Sequence, residues 1–147
     1  MESSSPARVL VVAHRTAATQ GLADAVRRRA EAGPARFTLL VPRTAHGLHK
    51  IMDPEEADER EARDVLERAL PLLSAAAGSE VAGLVGEASP LTAIEDAINS
   101  QPFDEIIIST LPRRVSRWLR LDLPSKARGY GLPITLVTQT EEVRAAG

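Results

Sequence analysis

The sequence predicts an α/β domain with a parallel sheet covered by helices on both faces. Three observations carry that prediction. Short β-branched runs alternate with helix-length amphipathic segments along the whole chain. The runs are continuously apolar, as strands buried on both faces are. Helix stop signals and strand starts follow one another closely, with only one longer connection.

The elements follow in order. Arg8 to Ala13 (Arg-Val-Leu-Val-Val-Ala) is a buried strand. A helix over Thr19 to Ala32 places Leu22, Val26 and Ala30 on one face, and Gly33-Pro34 stops it. Arg36 to Val41 is the second strand, closed by Pro42. Residues 43–52 form a loop holding His46 and His49. Asp53-Pro54-Glu55-Glu56 then starts a helix: Asp53 caps, Pro54 suits the first helical position, and the acids meet the positive end of the dipole. This helix is expected to reach Ala77, to kink or break at Pro71, and to end at Gly78.

Glu80 to Val85 is a third strand, weakened by Gly83. Ser89-Pro90 opens a helix to about Ser100, with Leu91, Ile94, Ala97 and Ile98 inward. Phe103 to Ser109 is the fourth strand, and Leu132 to Thr138 the fifth. Between them, Pro112 to about Arg128 is expected to contain a helix with Val115, Trp118 and Leu119 on its apolar face. Residues 1–7 are expected to be a flexible N-terminus, 8–138 one domain, and 139–147 a frayed tail.

Bulk properties exclude several function classes. With 147 residues the chain is large enough for one real core. A net charge of −2 gives no general attraction to nucleic acid or anionic membrane, and 3% aromatics argue against a base-stacking platform. The absence of cysteine rules out disulfides, a thiol nucleophile and cysteine–zinc sites, and fits a cytoplasmic setting. The N-terminus lacks the basic and apolar regions of a signal peptide, and no apolar run has the length of a membrane span.

Right-handed crossovers bring the loops after the strands to one sheet edge. That edge collects His14-Arg15-Thr16, the loop from Pro42 to Met52, Gly86 to Pro90, and Ser109 to Arg114. In an open α/β sheet, ligands bind outside the C-terminal ends of the strands. The segment after the fourth strand is rich in cations: residues 113–128 hold Arg113, Arg114, Arg117, Arg120, Lys126 and Arg128 against Asp122 alone. Guanidinium presents a planar fork of donors suited to phosphate. The plainer reading is a solvated face or a subunit contact, paired with the acidic stretch over residues 53–67. Metal ligation by His46, His49 and Asp53 matches no firm motif, and no metal site is expected. The His46-Gly-Leu-His49 letters do not fit a nucleotidyltransferase signature in order or place. No Gly-x-Ser-x-Gly elbow or acid–base pair is visible, and catalytic residues are not expected.

Several stretches together resemble the universal stress protein family. They are Arg8-Val-Leu-Val-Val-Ala-His-Arg-Thr, Val85-Gly-Glu-Ala-Ser-Pro-Leu-Thr-Ala-Ile, Asp104-Glu-Ile-Ile-Ile-Ser-Thr and Leu132-Pro-Ile-Thr-Leu-Val. The resemblance covers about residues 8–138. It implies a single three-layer domain of the adenine nucleotide alpha hydrolase-like kind, strand order 3-2-1-4-5, and a homodimer. ATP-binding members carry Gly-x2-Gly-x9-Gly-Ser/Thr after the fourth strand. Here the spacing is kept and the residues are not: Ser109, Pro112, Asp122 and Leu123 stand at those positions. His14 stands where the family has a base-contacting aspartate, Arg15 and Ala88 replace glycines, and Pro42 replaces an apolar residue of the adenine pocket. Glycine allows positive φ and close backbone approach, whereas proline fixes φ and removes a donor.

The sequence therefore points to a non-catalytic binding or regulatory domain. An anion or nucleotide pocket is expected at the ends of strands 1 and 4, lined by His14, Arg15, Thr16, Pro42, Ser109, Thr110, Arg113, Arg114 and Arg117. Its ligand would be ATP or another phosphate compound, with arginines in place of glycine amides. The alternative is a protein-interaction module with no ligand, its pocket filled by Pro112 and Asp122. Third comes an enzyme acting on a nucleotide or phosphate compound.

Overall fold

A computed structural model describes residues 5–43, 54–112 and 116–138, and for 54–58 the backbone only. Its elements alternate as expected: β1 (Ala7–Val12), α1 (Gln20–Ala32), β2 (Ala35–Pro42), α2 (Pro54–Ala77), β3 (Ala82–Gly86), α3 (Pro90–Ser100), β4 (Glu105–Thr110), α4 (Arg117–Arg120), α5 (Leu123–Arg128) and β5 (Ile134–Thr138). The five strands form one parallel sheet in the order β3-β2-β1-β4-β5. This is the order implied by the resemblance, and the direction of winding reverses between β1 and β4.

Two apolar layers explain why the central strands read as continuous hydrophobic runs. Successive strand side chains point to opposite faces. Val9, Val11, Leu39, Val41 and Ile107 pack on one face with Leu22 and Val26 of α1 and Ala62, Ala69 and Leu73 of α2. Leu10, Val12, Leu40, Ile106 and Ile108 pack on the other with Ala93, Ile94 and Ala97 of α3 and Leu123 and Ala127 of α5. One glycine is needed for the second layer. A Cβ on Gly86 would lie 2.7 Å from Ala93 Cβ and 2.9 Å from Leu40 Cδ1, so its absence lets α3 sit close to β3.

Helices α1 and α3 carry side-chain N-caps, while the expected cap Asp53 lies outside the described residues. Thr19 and Ser89 accept from the backbone N–H groups of Leu22 and Thr92, each at 3.3 Å. Gly78, at φ 76, ends α2 with its N–H on the Ser74 carbonyl.

Two expectations are corrected. Pro71 does not break α2, which continues to Ala77. The proline ring lies on the exposed side, so the carbonyl it leaves without a donor is on the wet face of the helix. Among the described residues, the segment after β4 holds not one helix but two short ones. Asp122 separates them at φ 60, ψ 40, the one non-glycine residue with positive φ among those described. Pro124 supplies no N–H for the Arg120 carbonyl and its ring would clash with it, so α4 cannot run on into α5. Among the described residues, no helix is long and apolar enough to cross a membrane.

Candidate functional site

A cleft of about 540 Å³ opens at the C-terminal edge of the sheet. All four expected loop regions contribute to it. His14, Arg15 and Thr16 come from the turn after β1, and Pro42 and Arg43 from the end of β2. Ala88, Ser89 and Pro90 lie between β3 and α3. Ser109, Thr110 and Leu111 end β4, and Ser116, Arg117, Trp118 and Leu121 follow them. Its size lies within the range usual for small-molecule sites.

Seven of the nine residues expected from the sequence line this cleft: His14, Arg15, Thr16, Pro42, Ser109, Thr110 and Arg117. Arg113 and Arg114 lie outside the described residues, as do His46, His49 and Asp53. Pro112 and Asp122, expected to fill the pocket in the interaction-module alternative, do not line it. Asp122 holds the left-handed conformation that a glycine adopts freely, and it does so at the third glycine position of the motif. The backbone conformation that glycine favours is thus present under an aspartate side chain.

Sequence reasoning did not name Arg43, Ser89, Pro90, Ala88, Leu111, Ser116, Trp118 and Leu121 as lining residues. The signal was available for the first four, since they directly follow β2 and β3 at the same edge. Trp118 and Leu121 reach the cleft because α4 is a single turn leading away from Ser116. Trp118 also packs against the α3–α5 layer, so it joins core and cleft.

Charge in the cleft is one-sided. Arg15, Arg43 and Arg117 line it, and no carboxylate does among the described residues. Arg43 is partly compensated: its Nη2 lies 3.0 Å from Glu87 Oε1, and its own side chain is only 19% exposed. Arg15 and Arg117 are exposed and have no acidic partner among the described residues. The apolar part of the wall comes from Pro42, Pro90, Leu111, Trp118 and Leu121.

The hydroxyls have defined tasks. Ser116, 2% exposed, accepts from Leu119 N–H at 3.1 Å and caps α4. Ser89 caps α3, and Thr110 Oγ1 donates to the Leu111 carbonyl at 3.0 Å. Thr16 and Ser109 bond each other at 2.5 Å across the gap between β1 and β4. Of the hydroxyls after the fourth strand's core, Ser116 caps a helix, whereas Ser109 and Thr110 still belong to β4. What these groups offer together is recognition: cations, hydroxyls and an apolar wall around one space.

No protein-family model matches the sequence, and no curated protein matches it. Solved structures do match the fold. A universal stress protein family member from Burkholderia pseudomallei superposes with a TM-score of 0.64 at 18% identity, covering 92% of this chain and 98% of that one. The universal stress protein from Archaeoglobus fulgidus in complex with dAMP gives 0.58 at 16% identity, covering 90% and 98%. A universal stress protein family protein from Arabidopsis thaliana with AMP bound gives 0.59 at 8% identity, covering 94% and 95%. The chain has the universal stress protein fold over nearly its whole length.

Proposed function

We propose that this domain binds an anionic small molecule with a flat or apolar body, of the nucleoside monophosphate type, and does so without turning it over. One observation carries the reading: Arg15 and Arg117 bring uncompensated positive charge to a cleft with no carboxylate among its described lining residues. A guanidinium with no acid partner favours a ligand anion, and its fork of donors matches phosphate oxygens. Trp118, Pro42 and Pro90 supply an apolar wall for the ligand's body. Proteins of the same fold hold AMP and dAMP, which supports this ligand class. ATP is a weaker candidate than a monophosphate, because Ser109 and Pro112 stand where glycines would let a longer phosphate chain approach the backbone.

The homodimer belongs to the same proposal. β3 and β5 each end the sheet with one neighbouring strand, and either edge could receive a second copy; sedimentation equilibrium reads the stoichiometry.

Two measurements test the ligand reading. Mass spectrometry of small molecules released from the freshly purified, denatured protein identifies a retained compound. Calorimetric titration with AMP, and with ATP and Mg²⁺, reads affinity directly. Retained nucleotide, or AMP binding that weakens with salt, supports the reading. A protein that purifies empty and ignores both nucleotides at millimolar concentration sinks it.

A further inference from the structure

The Thr16–Ser109 pair lies at the floor of the cleft, where the winding of the sheet reverses. Thr16 is 2% exposed and Ser109 3% exposed, and the two oxygens are 2.5 Å apart. Each hydroxyl has one proton to donate and two lone pairs to accept with. Only one of the two protons lies between the oxygens. The second O–H therefore has its proton left over, and no other side-chain hydrogen bond is made by either hydroxyl among the described residues. Buried polar groups are ordinarily satisfied, and a donor left over at the floor of a binding cleft is a group a ligand oxygen satisfies.

We infer that this hydroxyl pair is the donor that fixes the anionic group of the ligand, with Arg15 and Arg117 supplying its charge balance. The inference rests on the anion-binding reading above and deepens it by naming the contact. Ser109 and Thr16 both line the cleft at the end of β4, so their hydroxyl pair is within the space a ligand would occupy. The donation of one hydroxyl into the other polarises the second, strengthening the bond it gives to an anion. An O–H···O⁻ bond is short and charge-assisted, and it selects an acceptor over a donor. The pair therefore discriminates between a phosphorylated ligand and its unphosphorylated counterpart.

The experiment compares AMP with adenosine on the full chain. In Ser109→Ala and in Thr16→Val, AMP affinity is expected to fall about tenfold or more, while adenosine affinity stays within about twofold. Ser109→Thr, which restores the hydroxyl, is expected to recover AMP binding. A pair that merely latches the two loops would move both ligands together, or neither, and either pattern overturns the inference. Circular dichroism melts identify a variant that has lost its fold, and Thr16→Ser with Ser109→Thr then tests whether any arrangement of two hydroxyls suffices. Should Arg15→Ala and Arg117→Ala abolish AMP binding while the hydroxyl variants retain it, the inference fails and the anion-binding reading stands. Should the unaltered protein bind neither AMP nor inorganic phosphate, both fail.

Discussion

The two ends of the β1–β4 strand pair treat arginine in opposite ways. At the N-terminal end Arg8 and Arg29 are each matched to a carboxylate. Arg8 Nε and Nη2 lie 3.1 and 3.2 Å from the two oxygens of Asp104, which also accepts the Arg8 backbone N–H at 2.8 Å. Arg29, from the last turn of α1, forks onto Glu105 at 3.0 and 2.9 Å. At the C-terminal end Arg15 and Arg117 have no acid partner among the described residues and face an open cleft. A forked arginine ties elements together, and its charge is spent on the fold. An arginine held without a counter-charge keeps its charge for something that arrives. The difference teaches that arginine serves two purposes in this chain: Arg8 and Arg29, like Arg43 beside the cleft, are tied to carboxylates, whereas Arg15 and Arg117 have no acid partner among the described residues.

The largest effect is expected from breaking the cleft end. Arg117→Glu puts a carboxylate beside the proposed anion site and reverses the local charge. AMP affinity is expected to fall by a hundredfold or more, about 3 kcal/mol. The melting temperature should be nearly unchanged, since Arg117 is exposed and tethers nothing. Calorimetry and a thermal melt on the same sample check both halves. A large loss of stability with binding intact would place Arg117 with the structural arginines and undo the contrast.

The complementary change sharpens it from the other end. Arg29 and Glu105 side chains are each 23% exposed, so their ion pair is partly desolvated. Arg29→Met keeps much of the side-chain volume and leaves the Glu105 carboxylate without its fork. A cost of about 1–3 kcal/mol is expected, read as a lower urea midpoint at constant slope. Adding Glu105→Leu should return part of that loss, because two apolar groups need no counter-charge. AMP affinity should stay put throughout.

Much of this was legible in the sequence, for identifiable reasons. The runs at Val9–Val12 and Ile106–Ile108 read as strands because residues pointing to either face of a covered sheet are all apolar. The sheet edge holding the cleft follows from handedness, which places His14, Arg15, Thr16 and Ser109 together across 95 residues of chain (14 to 109). The break at Asp122 was less visible. Asp122 and Pro124 act together: a left-handed residue turns the chain, and a proline two positions later prevents α4 from resuming. A reading that weighs apolar spacing alone sees one helix there. The Thr16–Ser109 bond was invisible for a different reason. It depends on side-chain reach between two loops, which periodicity and spacing do not report.

The smallest effect belongs to the exposed pair, and its sign is fixed by the chemistry of Asp104. Its carboxyl is held below the usual carboxylate range, chiefly by the hydrogen bonds from the Arg8 guanidinium, then by the Arg8 backbone N–H, with charge attraction adding to both. A carboxylate whose pKa is depressed on folding binds its proton more weakly in the folded chain than in the unfolded one. It therefore stabilises the fold above the unfolded value of about 4, and that contribution is lost as pH falls through the lower folded value. Asp104→Asn should melt below the unaltered protein at neutral pH, with the gap closing as pH drops into that acid window. A gap of constant size from neutral to strongly acid pH would mean the loss is one of packing or of the amide's own bonding, and the ionic account would fail. The effect is the weakest of the three because the Arg8 and Asp104 side chains are 47% and 44% exposed and water already screens them. The same variant also tests the separation of the two ends: AMP affinity at neutral pH should not move, and if it did, β1 and β4 would be transmitting the state of one edge to the other.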